Sequence, residues 1–168
     1  MTERPPNADE LLENNRTYQE TFADRHLSIT PTRRLAIVAC MDSRMDIFAM
    51  LGLGKGEAHI IRNAGGVVTD DVIRSLCLSQ RLLGTDEVIL IHHTDCSLEK
   101  IEDHEFLEGL ETDTGERPPW ALGSFENPYE DTAASIDRIR SSPFLPNRHR
   151  VRGFVYHTDT GELIEVAG

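Results

Sequence analysis

The chain has only three cysteines, Cys40, Cys77 and Cys96, and no two of them form a Cys-x-x-Cys pair. The opening stretch Met1-Thr2-Glu3-Arg4-Pro5-Pro6 lacks the apolar core of a secretory signal. Together these absences argue against a disulfide framework and leave the cytoplasm as the expected compartment. No apolar run is long enough to suggest a membrane span. Positive charge is also scarce, with 17 Lys and Arg against 29 Asp and Glu and a formal net charge of -12. A field of that sign repels phosphate backbones, so nucleic acid is not an expected partner. There is no internal repeat, no low-complexity tract and no Gly-x-Gly-x-x-Gly fingerprint of a dinucleotide site.

What is present fits one soluble domain over residues 1–168, with 39% hydrophobic and 27% charged residues. Residues 35–39 form a short continuous apolar run, the pattern of a strand covered on both faces. Residues 58–61 read as a second strand, and 87–91 as a third that is again largely β-branched and apolar. Helical spacing separates them. Residues 45–51 read as a short helix closed by the glycines at 52, 54 and 56, and Thr69 is a good N-cap for a helix ending near Gly84. Strands alternating with helices predict right-handed crossovers and a mostly parallel sheet, of order 2-1-3-4 if the first and third strands are neighbours. Further on, 98–110 reads as a helix, 111–129 as a proline-containing loop and 130–140 as a helix. Residues 151–157 and 162–166 form an antiparallel edge hairpin across Asp159-Thr160-Gly161. An acidic helix over 7–25 has few apolar contacts, Leu11, Leu12, Tyr18 and Phe22, and is expected to pack on a second subunit or to stay loosely attached.

Two strand ends carry the chemistry. The first apolar run leads into Cys40-Met41-Asp42-Ser43-Arg44, and the third into His92-His93-Thr94-Asp95-Cys96. A thiol, a carboxylate and a guanidinium at alternate positions would share one face of a strand. His93 and Cys96 stand at His-x-x-Cys spacing, and Cys₂His is a catalytic zinc ligand set that leaves one position open. Cys40 joins them only if the fold brings the two strand ends together at the carboxyl edge, where open α/β sheets bind ligands. Taken singly, a buried cysteine is more often a small hydrophobe, and Cys77 is assigned to the core.

Cys-x-Asp-x-Arg, then Arg62-Asn63-Ala64-Gly65-Gly66, then His-x-x-Cys resembles the β-class carbonic anhydrases, and its compact bacterial branch in particular. Residues 152–163 are similar to that family's terminal hairpin. The resemblance implies one Zn2+ per chain on Cys40, His93 and Cys96, and reversible hydration of carbon dioxide to bicarbonate and a proton by zinc-bound hydroxide. It makes Asp42 and Arg44 the catalytic pair. Asp42 would orient the hydroxide while Arg44 keeps it ionised, or would become a fourth metal ligand in a closed state if that pair breaks. Gly65, Gly66 and Val67 would line the substrate pocket, and a homodimer or dimer of dimers is implied. Two thiolates weaken the Lewis acid and place the working pH on the alkaline side. The chain departs from the commoner pattern at His92 and Ser97, where many members have glycine. Proton export needs a shuttle, with His92, His104 or buffer as candidates.

Two other readings use the same residues. A carbonyl sulfide or carbon disulfide hydrolase would attack a linear triatomic substrate in the same way, and the 111–130 loop would set access. A zinc-stabilised regulatory module without turnover would need four closed ligands, and would not require Asp42 and Arg44.

Overall fold

The computed structural model describes residues 7–167, so residues 1–6 and Gly168, which the single-domain and leader readings include, lie outside it. Strand β1 (Leu35–Cys40) is buried along its whole length, as its unbroken apolar run requires. It pairs in parallel with β2 (Ala58–Asn63) on one side and β3 (Glu87–His93) on the other. β3 pairs in parallel with β4 (Val151–Tyr156), and β4 turns back antiparallel into β5 (Leu163–Val166). The order is β2-β1-β3-β4-β5, the sheet read from the sequence with its edge hairpin.

Alternation along the strands divides the interior into two layers. Ala36, Val38, Val88 and Leu90 face helices α3 (Asp70–Arg81) and α5 (Pro128–Ser141), where Val72, Leu76, Ile136 and Ile139 close the core. Leu35, Ile37, Ala39 and Ile91 face the other way, onto Met45, Ile47 and Leu98. Leu90 is fully buried, so Leu90→Ala would cost about 3 kcal/mol through lost transfer energy and the cavity left behind. Gly153 on β4 lets α5 approach closely, because a Cβ there would stand 2.5 Å from the Thr132 side chain.

Local chemistry sets the helix limits. Thr69 caps α3 by accepting the Val72 amide, and Asn127 caps α5 by accepting that of Tyr129. Helix α2 (Ile47–Leu51) begins two residues later than expected, because Asp46 is its cap and Met45 is buried in the preceding turn. The helix expected over 98–110 divides. A short 3-10 turn spans Ser97–Lys100, Ile101 is extended, and α4 runs Asp103–Thr114 until Gly115 turns left-handed. α5 starts at Pro128 rather than 130, since proline is favoured in a first helical turn. The terminal helix α1 (Asn7–Glu20) stops short of residue 25, and none of its residues is buried. Cys77 is half-buried against the α3 core. Among the described residues, no helix is long and apolar enough to cross a membrane.

Candidate metal centre

Both ligand-bearing strands run one residue or more beyond their expected ends, so Cys40 and His93 are the last residues of β1 and β3 rather than loop residues. Register pairs Ala39 with Ile91, which sets the two strand ends side by side. Cys96 then returns at the head of the 3-10 turn. The result is a buried trio: one donor atom each from Cys40, His93 and Cys96, all within 4.8 Å of one another.

The backbone under the trio is tied down from β2. Met41 donates its amide to Asn63 O at 2.8 Å, and Arg62 on β2 donates to Cys40 O at 2.8 Å and to Asp42 O at 2.7 Å. Gly66 packs against the same strand end with φ +72°, and a Cβ there would stand 2.9 Å from Cys40 N and 3.0 Å from Ala39 C. Only glycine fits both the angle and the space.

The donor set matches zinc. Thr94 O accepts a hydrogen bond from His93 Nδ1 at 2.9 Å, which leaves the Nε2 lone pair toward the thiols, and Nε2 has no other partner. Hydrogen bonding from Cys96 pulls the Cys40 thiol down to about 4 against the opposing effect of burial, with His93 helping. Cys96, holding the shared proton beside that anion, is pushed up. Burial disfavours charge on His93, yet the Cys40 thiolate outweighs it and raises the imidazole. The surroundings thus favour the anion at Cys40, with an imidazole and a second thiol beside it. Soft sulfur with imidazole is zinc chemistry, and three protein donors leave a fourth position free.

Asp42 and Arg44 stand at the rim. Arg44 Nε and Nη2 donate to Asp42 Oδ1 at 3.0 Å and Oδ2 at 2.8 Å, and the Arg44 amide adds a third bond to Oδ1 at 2.9 Å. These bonds hold the Asp42 carboxyl down to about 2. Oδ2 lies 3.8 Å from His93 Nε2, so the carboxylate faces the donor trio. A cavity of about 240 Å³ opens there, lined by Cys40, Asp42, Gly65, Cys96 and Leu98 among others.

Gly65 belongs to that wall. Gly66 is buried against the strand backbone, and Val67 lines a neighbouring cavity beside Asp131 and Arg138. His92 is fully buried with Nδ1 3.2 Å from Asp131 Oδ2, and neither atom makes a well-aligned hydrogen bond. Burial lowers its imidazole to about 4. His104 is exposed beside Glu108. Sequence reasoning missed Arg62 as a backbone brace, Asp131 behind His92, and Asp95 on the outer edge of Arg44. Arg62 opens the Arg-Asn-Ala-Gly-Gly motif and could have been weighed for that role; no local pattern marks the other two.

Comparison with known proteins agrees with this geometry. The family model for carbonic anhydrase matches residues 35–111. The chain is 49% identical over 158 residues to β-carbonic anhydrase 1 of Mycobacterium tuberculosis, covering 94% of this chain and 96% of that one. A carbon disulfide hydrolase of an Acidianus species is more distant, at 32% identity over 86% of this chain and 83% of its own. Among solved structures, the carbonic anhydrase of Streptococcus mutans superposes with a TM-score of 0.90 at 38% identity, over 98% of this chain and all of that one (100%). With that identity spread over nearly the whole chain and the same sheet beneath it, the chain belongs to the β-carbonic anhydrase family.

Proposed function

We propose that this chain catalyses the reversible hydration of carbon dioxide to bicarbonate and a proton, with one zinc ion on Cys40, His93 and Cys96 and with Asp42 and Arg44 as the catalytic pair. The observation that carries it is an Arg-clamped carboxylate facing a buried Cys₂His trio. Zinc bound there supplies the Lewis acidity that lets water ionise near neutral pH. The rest falls to the chain itself. Asp42 Oδ2 can only accept, so it takes a hydrogen bond from the attacking water and leaves an oxygen lone pair free for the substrate carbon. Arg44 keeps that carboxylate charged and fixed. A C–O bond forms as one C=O π bond of carbon dioxide opens onto its oxygen and the water surrenders one proton to buffer, and bicarbonate leaves through the cavity. Gly65 lines that cavity. Gly66 and Val67 act from behind it, shaping the wall rather than touching substrate.

The family includes proteins that act on carbon disulfide, and a linear triatomic substrate would fit the same attack. The carbon dioxide reading is preferred because the chain is more similar to the mycobacterial carbonic anhydrase than to the hydrolase. Stopped-flow hydration assays with zinc measured on the same sample test it. Stoichiometric zinc without hydration between about pH 7 and 9 sinks the reading, and parallel assays on carbonyl sulfide and carbon disulfide identify the alternative.

The working form is a homodimer or a dimer of dimers, and the compartment is the cytoplasm. α1 supports the first point. Leu11 is 62% exposed and Leu12 58%, while Lys55 ties the helix root to the body through Tyr18 and Asp24. An isolated helix of this length is marginal in water, so α1 needs an apolar surface that its own chain does not provide. The free thiols of Cys40 and Cys96 suit a reducing compartment.

A further inference from the structure

Arg44 is held on two edges, and the hydration reading uses only one of them. On the outer edge Nη1 donates to Asp95 Oδ2 at 2.8 Å, and Nη2 donates to Asp95 O at 3.1 Å. Lys100 binds the other oxygen of the same carboxylate. Asp95 reaches this position only by adopting φ +58°, one of two non-glycine residues in the described chain with positive φ. That conformation is sparsely populated for a residue with a Cβ. Here it aims the carbonyl and the carboxylate of one residue at one guanidinium. The side chains of Arg44 and Asp95 are 47% and 52% exposed, so neither is held in place by packing.

We propose that Asp95 is a positioning residue that immobilises Arg44 and, through it, the catalytic carboxylate of Asp42. The inference rests on the hydration reading for its consequence and on the hydrogen bonds alone for its geometry. With only its inner edge held, the Arg44 fork swings toward solvent, and Asp42 either follows it or is released toward the three metal donors. Asp95 thus acts one residue removed from the reaction. Lys100 serves it by fixing the second carboxylate oxygen.

The test separates geometry from activity. In the metal-free protein, exchange of the Arg44 Nε proton with water is followed by nitrogen-15 NMR in the parent, Asp95→Gly and Asp95→Asn. Glycine keeps the left-handed backbone and the carbonyl acceptor while removing the side chain, and asparagine keeps one acceptor oxygen. Loss of a charge-assisted hydrogen bond is expected to speed exchange about tenfold in Asp95→Gly, with Asp95→Asn between it and the parent. In the zinc-loaded enzyme, Asp95→Gly is expected to lower kcat about tenfold with KM little changed, and to cause no further loss when Asp42→Asn is already present. Unchanged proton exchange, or an equal loss of kcat in both backgrounds, overturns the proposal. An inactive zinc-loaded parent would instead reject the hydration reading and leave the exchange result to decide on Asp95.

Discussion

The Asp42 carboxylate lies 3.8 Å from His93 Nε2 and turns its other contacts to Arg44, so it faces the donor trio without joining it. Asparagine there would present an N–H₂ where an acceptor is required. Asp42→Asn is expected to lower kcat about a hundredfold while zinc content stays stoichiometric, as stopped-flow and metal analysis on one sample would show. Because Arg44 holds the carboxyl down to about 2, Asp42 stays charged through the working range. The acid limb of the rate profile must therefore come from another group.

Zinc removal should inactivate and destabilise together. A ligand that binds only the native state at a thousandfold excess over its Kd contributes about 4 kcal/mol, so dialysis against a chelator is expected to lower Tm by several degrees. Cys96→Ser should reproduce both effects and resist recovery on adding zinc. Retained activity in that variant would exclude Cys96 as a ligand.

Gly66→Ala is expected to damage the site from behind. Its added Cβ meets backbone atoms of Ala39 and Cys40 within 3.0 Å at a left-handed φ of +72°. Backbone cannot give way as a flexible side chain does, so a cost of about 2–4 kcal/mol is expected in urea titration. Zinc occupancy should fall with it.

Asp131 gives the stability curve a defined slope. Its half-buried carboxyl is pushed up to about 6 by burial, so the folded chain holds that proton more tightly than the unfolded chain does. The contribution is complete below the ordinary carboxylate pKa of about 4 and is lost as pH rises through about 6. Asp131→Asn removes the loss. At about pH 8 the variant is expected to be more stable than its parent by up to about 3 kcal/mol, and at about pH 4 nearly equal to it. A variant less stable at the higher pH would mean that His92 is charged and paired with it.

The exposed apolar residues of α1 predict the assembly. Leu11→Lys with Leu12→Lys is expected to convert a dimer to a monomer in sedimentation velocity, with the hydration rate per chain falling alongside. A parent chain that sediments as a monomer at micromolar concentration would remove the basis for the prediction.

Most of the architecture was legible because burial on both faces leaves a plain mark. Residues 35–39 and 88–91 admit no polar side chain, which marks them as interior strands, and their pairing in the fold sets the polar residues that follow each side by side at one edge of the sheet. The trio followed from that meeting. Other parts depend on contacts between residues far apart in the chain. The partnership of His92 with Asp131 joins β3 to α5, and the second clamp on Arg44 needs a backbone angle that the residue type Asp does not announce. Helix ends were misread by a few residues where capping outweighed hydrophobic spacing, as at Asp46 and Pro128.

Arg62 gives the sheet edge a direct line to the metal donors. β2 is an outer strand, and from it one guanidinium grips the carbonyls on either side of Met41, which include that of Cys40. Whatever rests against that border presses on the same anchor. Loosening of that grip would reach the centre first as a freer Cys40 carbonyl, before any donor atom changed, so metal retention depends on a residue that is not itself a donor.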